Sequence, residues 1–265
     1  MHDFGPPLRD GRPAGVALLV HGLGEHVGRY AHVAQALREA GWHAWGYDHH
    51  GHGQSGGQRG ALPCPARLLD DLGLVMDLVR SQAACDSPLV LIGHSMGGLV
   101  VARAAIERIR PVDAVVMSSP ALTAPLNPLQ RLLLRTLPRV APHWRVDNGV
   151  KVDFVSRDRE VVQRYRNDPL VHRKISAALA AWVVDMGART IAQAASWDTP
   201  ALLLYAGADR LVDPRGSDAF AATAPPHRVR ALRYDTLYHE IFNEPERVVV
   251  LADLLAWLQL QDAHP

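Results

Sequence analysis

A serine hydroxyl attacks a carbonyl efficiently only when a base takes its proton and an acid orients that base. Ser95 is the serine of this chain best placed for such help. It lies in Leu89-Val-Leu-Ile-Gly-His-Ser-Met-Gly-Gly98, where an apolar run meets Gly93-x-Ser95-x-Gly97 and then an Ala/Val-rich stretch. The order reads as strand, tight turn, helix, the setting that gives this otherwise common pattern its chemical meaning. Such a turn pushes the hydroxyl out of the fold, and small residues two before and two after are needed because chain segments crowd there. The following helix aims its N-terminus at the site, so the Met96 N–H can receive a developing oxyanion. The plain alternative is a Gly-rich turn with an incidental serine.

The acid and the base should follow later strands, carboxylate before histidine. Ala201–Tyr205 leads into Ala206-Gly-Ala-Asp209-Arg-Leu-Val-Asp213-Pro214, which offers Asp209 first and Asp213 as its competitor. Val229–Tyr234 leads into Asp235-Thr-Leu-Tyr-His239-Glu240, and His239 is the only histidine between that strand and the closing helical stretch. A second oxyanion donor should come from the loop after the first long strand, His21-Gly-Leu-Gly-Glu-His-Val-Gly28, where the Leu23 N–H is the candidate. Glycines there let the backbone curl close to the serine.

These residues need a scaffold. Short apolar runs at Val16–Val20, Trp42–Tyr47, Leu89–Ile92, Ala114–Met117, Ala201–Tyr205 and Val229–Tyr234 predict strands, most of them buried on both faces. Helical patterns lie between and after them at Tyr30–Ala40 (closed by Gly41), Ala66–Ala83, Gly97–Arg108 and Pro245–Leu260. Strand–helix alternation of this kind implies an α/β fold with a mostly parallel sheet flanked by helices. Residues Ala121 to about Arg189 break the rhythm. They carry no clear strand but Leu- and Arg-rich helical patterns at Leu129–Leu137 and Ile175–Met186, too much chain for an ordinary connection. The segment therefore reads as a helical cap over a core formed by residues 1–120 and 190–265. Its Leu129, Leu132, Leu133, Leu137, Trp144, Leu179 and Trp182 suggest an apolar acyl site, although many must serve only to pack the cap.

Composition removes several other classes. The 265 residues are 48% hydrophobic and 21% charged with a net charge of +1, too apolar for disorder and without the basic stretch that nucleic acid would require. No apolar run approaches the ~20 residues of a membrane span, and no secretory signal is visible, so a cytoplasmic location is the expectation. Cys64 and Cys85 form no CxxC pair. Gly51-His-Gly-Gln-Ser-Gly56 matches a dinucleotide fingerprint nominally, but Gly57 and Gly60 follow and no helix opens. His21, His26, His32 and the histidines of Asp48-His-His-Gly-His52 could suggest a metal. Without HExxH spacing they read instead as loop histidines bonded locally. No metal and no organic cofactor is expected.

Five motifs in order now carry a resemblance: His21-Gly-Leu-Gly-Glu-His-Val-Gly-Arg-Tyr30, Tyr47-Asp-His-His-Gly-His-Gly-Gln-Ser-Gly56, Gly93-His-Ser-Met-Gly-Gly98, Ala206-Gly-Ala-Asp-Arg-Leu-Val-Asp-Pro214 and Tyr238-His-Glu-Ile-Phe-Asn-Glu244. Asn167-Asp-Pro-Leu-Val171 adds a cap-region motif. From Val16 to about Leu260 the chain resembles the α/β-hydrolase superfamily. Within it, the chain is similar to the monoacylglycerol lipase and lysophospholipase-like branch, also described as serine aminopeptidase-like.

The resemblance implies a Ser95–Asp209–His239 triad, an oxyanion hole from Leu23 and Met96, and a cap over an apolar pocket. It implies hydrolysis of monoacylglycerols or similar single-chain acyl esters through an acyl-enzyme. A short-chain carboxylesterase, a lysophospholipase, an iminopeptidase and a catalytically inactive ligand-binding relative are the other readings. Haloalkane dehalogenases and epoxide hydrolases carry Asp where this chain has Ser95. A small-molecule acyl ester is the expected partner, a cap docking on a lipid surface is compatible with it, and the oligomeric state stays open. One departure stands out: only fifteen residues precede Val16, so the antiparallel hairpin that usually opens the family's sheet should be absent or vestigial. The sheet edge would then be exposed or shielded by a partner chain.

Overall fold

The computed structural model describes residues 1–9, 13–83, 87–124 and 126–262, without the side chains of Pro128, Leu129, Arg131 and Asp262. Cys85 lies outside them. Strands β1 (His2–Gly5), β2 (Gly15–Val20), β3 (Trp42–Tyr47), β4 (Leu89–His94), β5 (Ala114–Ser118), β8 (Ala201–Ala206) and β9 (Val229–Tyr234) form one sheet in the order β1-β3-β2-β4-β5-β8-β9. Every pairing in it is parallel except β1 with β3. Central strands β2, β4, β5 and β8 are buried along their whole length, as Val/Leu/Ala runs covered on both faces must be.

Helices α1 (Ala31–Glu39) and α8 (Arg247–Asp262) cover one face. There Val33, Leu37, Val250, Leu254 and Leu258 pack on Leu19, Ile92, Val116 and Leu204. Helices α2 (Arg67–Gln82), α3 (Met96–Glu107) and α7 (Arg215–Thr223) cover the other, where Leu72, Met76, Leu99 and Phe220 meet Leu18, Leu91 and Leu203. Between β5 and β8 run α4 (Pro128–Val140), β6 (Arg145–Asp147), α5 (Arg159–Asn167), β7 (Lys174–Ser176) and α6 (Ala177–Ala192). An Asn127–Gln130 capping box opens α4, and Asp158 and Ser176 cap α5 and α6.

Two expectations change. The hairpin is vestigial, as expected, but its remnant is the strand β1, which pairs antiparallel along β3. The β3 edge is therefore covered by the chain itself rather than left bare or shielded by a partner. The segment expected to lack strands also contains the antiparallel pair β6–β7, with Val146 opposite Ile175. Three-residue strands are too short to show an alternation in sequence.

The β6–β7 pair is seated on the core by backbone. His172 N–H donates to Gly24 O at 2.8 Å and Ser176 N–H to Gly60 O at 2.8 Å. Gly60 has φ +68°, and a Cβ built on it would lie 1.9 Å from Lys174 O, so only glycine permits this approach.

Candidate active site

Strand β4 ends in the turn that carries Ser95, and the geometry explains the glycine spacing. Ser95 holds φ 54° and ψ −117°, a strained conformation for a residue with a Cβ. The turn is fastened by Ser95 N–H to Ser118 O at 2.9 Å and Ala121 N–H to Ser95 O at 2.9 Å. A Cβ on Gly93 would meet Gly97 O at 2.3 Å, and one on Gly97 would meet Val20 O at 2.1 Å. The tight turn and its helix thus fit against β2 only with both positions bare.

His239 and Asp209 meet where the loops after β9 and β8 run together. His239 Nδ1–H donates to Asp209 Oδ2 at 2.6 Å, with both side chains buried. Asp209 also accepts from Leu211 N–H at 2.8 Å and Val212 N–H at 2.9 Å. Burial pushes the Asp209 carboxyl up, but the His239 charge and hydrogen bond and these two N–H groups hold it below its ordinary value. Burial pushes His239 down. The Asp209 carboxylate, with Glu240 and Glu25 behind it, outweighs burial and raises the imidazole above 6.5. Asp213, the competing acid, instead binds the Arg215 guanidinium.

Ser95 and His239 open onto one cavity of about 1870 Å³, which Leu23 and Met96 also line. No hydrogen bond links the Ser95 hydroxyl to His239 in this conformation; in unliganded active sites such contacts commonly tighten only when substrate binds. Met96 is the first residue of α3, so its N–H has no acceptor within the helix. His94 packs its ring 4.7 Å from that of His239, and its Nδ1 lies 3.1 Å from Ser118 Oγ. Burial first, then the neighbouring His239, bring His94 down to about 3.

Of the apolar residues singled out from the sequence, Leu133, Leu137, Trp144 and Trp182 line the cavity. Leu132 faces solvent and Leu179 is locked in the core; the Leu129 side chain lies outside the described residues. The histidines of the second motif gather elsewhere. Rings of His21 and His49 lie 4.6 Å apart and those of His52 and His172 4.7 Å apart, bringing the loops after β2 and β3 against the segment before β7. His26 pairs with Asp168 at 2.8 Å and His32 with Phe242 O at 2.8 Å. Among the described residues no three His, Cys, Asp or Glu side chains have an arrangement that could hold a metal ion. The Gly51–Gly56 turn leads to no helix before α2, so it lacks the helix N-terminus a dinucleotide would use.

Sequence reasoning assigned no role to the buried Glu25, Glu240 and Glu244 or to the nearly buried Arg29. Glu25, Arg29 and Glu240 form one network beside His239, and Glu244 accepts from Ser156 Oγ, Arg157 N–H and Tyr238 N–H. Their signal was present: charged residues inside motifs, with no surface position to occupy.

The sheet order, the strained serine at the end of β4 and the two loops that meet over it define an α/β-hydrolase. The chain belongs to the family described as serine aminopeptidase, S33, whose model matches residues 11–246. It is 36% identical to a monoacylglycerol lipase of Mycolicibacterium smegmatis, over 97% of this chain and 92% of that one. It is 32% identical to the phospholipase YtpA of Bacillus subtilis, over 89% and 92%. Among solved structures, the monoacylglycerol lipase of Paleococcus ferrophilus superposes with a TM-score of 0.87 at 33% identity, covering 98% of both chains.

Proposed function

We propose that this protein hydrolyses single-chain carboxylic esters, monoacylglycerols first among them, through an acyl-enzyme on Ser95. The observation that carries the reading is the strained Ser95 opening, beside the His239–Asp209 pair, onto a cavity of about 1870 Å³ large enough for an acyl chain. In this mechanism Ser95 Oγ attacks the ester carbonyl as His239 Nε2 takes its proton. Asp209 fixes the imidazole tautomer and stabilises the imidazolium. The N–H groups of Leu23 and Met96 hold the oxyanion. His239 then protonates the leaving alcohol and afterwards activates water to release the acid. Residues 121–189 act as the cap, with Leu133, Leu137 and Trp182 lining the acyl path.

A rate panel tests this. Purified protein and Ser95→Ala would be given 4-nitrophenyl esters of rising acyl length, 1-monoacylglycerols and lysophospholipids. Turnover favouring medium or long monoacylglycerols and lost in Ser95→Ala is the expected result. Preference for lysophospholipids would move the protein toward its phospholipase relative, activity on short esters alone would make it a carboxylesterase, and no Ser95-dependent turnover would overturn the assignment.

The same cap supports a finer reading of where substrate is met. Among the described residues no helix is long and apolar enough to cross a membrane. Yet Leu132 and Val140 on α4, Val146 on β6 and Trp144 on the turn between them are exposed, as are Arg135, Arg139 and Arg145. Trp144 also lines the cavity. Apolar side chains ringed by arginine suit the headgroup boundary of an anionic membrane. Flotation with anionic vesicles should carry the wild type upward and leave Leu132→Glu/Val140→Glu behind. Equal recovery of the two would remove lipid docking from the proposal.

A further inference from the structure

The loop after β2 and the loop after β9 are more than two hundred residues apart in sequence and are joined by one guanidinium. Arg29 Nη1 donates to Glu25 Oε2 at 2.5 Å and to Glu240 Oε1 at 2.7 Å, and its Nη2 donates to Glu240 Oε2 at 2.6 Å. The fork on Glu240 is bidentate, the geometry that fixes direction as well as distance. Glu25 turns its other oxygen to Gly22 N–H at 2.7 Å and to the Tyr30 hydroxyl at 2.7 Å. Gly22 precedes the proposed oxyanion donor Leu23, and Glu240 follows the proposed base His239. A ring from α5, Tyr165, lies 4.6 Å beneath the guanidinium. All three charged side chains are at most 10% exposed.

We propose that Arg29 is a positioning residue for the hydrolysis: it clamps the loop bearing the oxyanion donor to the loop bearing the general base. This rests on the reading of Ser95, His239 and Leu23 given above. A pair kept only for stability is a poor use of buried charge, because packed apolar residues often do as well. Here two carboxylates share one cation, which leaves a net negative charge next to His239. That charge favours the imidazolium formed as Ser95 attacks. The other groups facing His239 are Asp209 from the loop after β8 and the neutral His94 from β4.

Two variants separate this from a purely structural bridge. Arg29→Lys keeps the charge and loses the fork; Glu240→Gln keeps an acceptor for Arg29 and loses the charge. Arg29→Lys is expected to lower kcat by about 100-fold with KM within about threefold, the signature of misplaced groups rather than lost binding. Glu240→Gln should move the acid limb of the kcat/KM profile to lower pH, because a neighbouring negative charge that favours imidazolium is gone. Wild-type kcat in a folded Arg29→Lys, or an unmoved acid limb in Glu240→Gln, would overturn the proposal. Should Arg29→Lys fail to fold, the acid limb of Glu240→Gln decides alone. A fluorophosphonate probe on the wild type keeps the two levels apart. Labelling at Ser95 together with unchanged variants removes only the clamp, whereas no labelling at Ser95 removes the hydrolase reading and the clamp together.

Discussion

Asp209→Asn is expected to lower kcat by about 10⁴-fold, the cost of presenting the wrong imidazole tautomer to the nucleophile. Asp213→Asn should leave kcat within about threefold of wild type, in line with a surface change away from the reacting groups. The contrast follows from where each carboxylate is engaged: Asp209 accepts from His239 Nδ1–H at 2.6 Å, and Asp213 faces Arg215. Steady-state kinetics of the two variants would measure it. A large loss in Asp213→Asn with little in Asp209→Asn would exchange their roles. In the proposed mechanism, His239 must be neutral to take the serine proton. Since it is raised above 6.5, kcat/KM should fall on the acid side with an apparent pKa above that of a free imidazole.

Acid should also weaken the fold itself, and early. His49 and His52 lie well below the ordinary 6.5, first through burial and then through the neighbouring His21. Burial and Arg59 bring His172 to about 4, and burial and His239 bring His94 to about 3. Both ring nitrogens of His49 and the Nε2 atoms of His52 and His172 are buried with no hydrogen-bond partner in the protein. No acceptor is therefore at hand to welcome a proton. Below about pH 6.5 the unfolded chain binds protons that the folded chain refuses, so stability falls as pH falls. Each such histidine can remove at most about 1.4 kcal/mol per pH unit below 6.5, a slope that matters against a usual total of about 5–15 kcal/mol. His239, raised in the folded state, works the other way, adding stability below pH 6.5 that is lost as pH rises through its folded pKa. Carboxylates such as Asp209, held low in the fold, weaken it only at more acid pH. Thermal melts should show Tm falling by about 5 °C or more between neutral pH and about pH 5. A flat Tm over that range would show that the cluster takes up protons without cost.

The core of the fold was legible because most of its strands are near-continuous apolar runs. Trp42–Tyr47 and Val229–Tyr234 have the same bounds in sequence and structure, and β2, β4, β5 and β8 differ only at their ends. Less could be read where stability comes from partners rather than from local pattern. His2–Gly5 has one large apolar residue, Phe4, and becomes a strand only because β3 offers an edge. Arg159–Asn167 is mostly polar and forms a helix whose Val161, Val162 and Tyr165 find a surface to bury against. Arg215–Thr223, just after Pro214, is too short and alanine-rich to show a clear apolar face. At the site, the order of motifs named Ser95, Asp209 and His239 as candidates, but only the fold brings Arg29 to Glu240. No local spacing records a contact made across the whole chain.

The backbone at Ser95 has a consequence for how the residue is kept. Its angles suit glycine, and holding a side chain there costs on the order of 1–3 kcal/mol. The fold alone gains nothing from a side chain here; under the proposed function, turnover rather than folding keeps a serine at the position. On that reading, a gene copy released from the demand for turnover would gain stability by exchanging Ser95 for glycine.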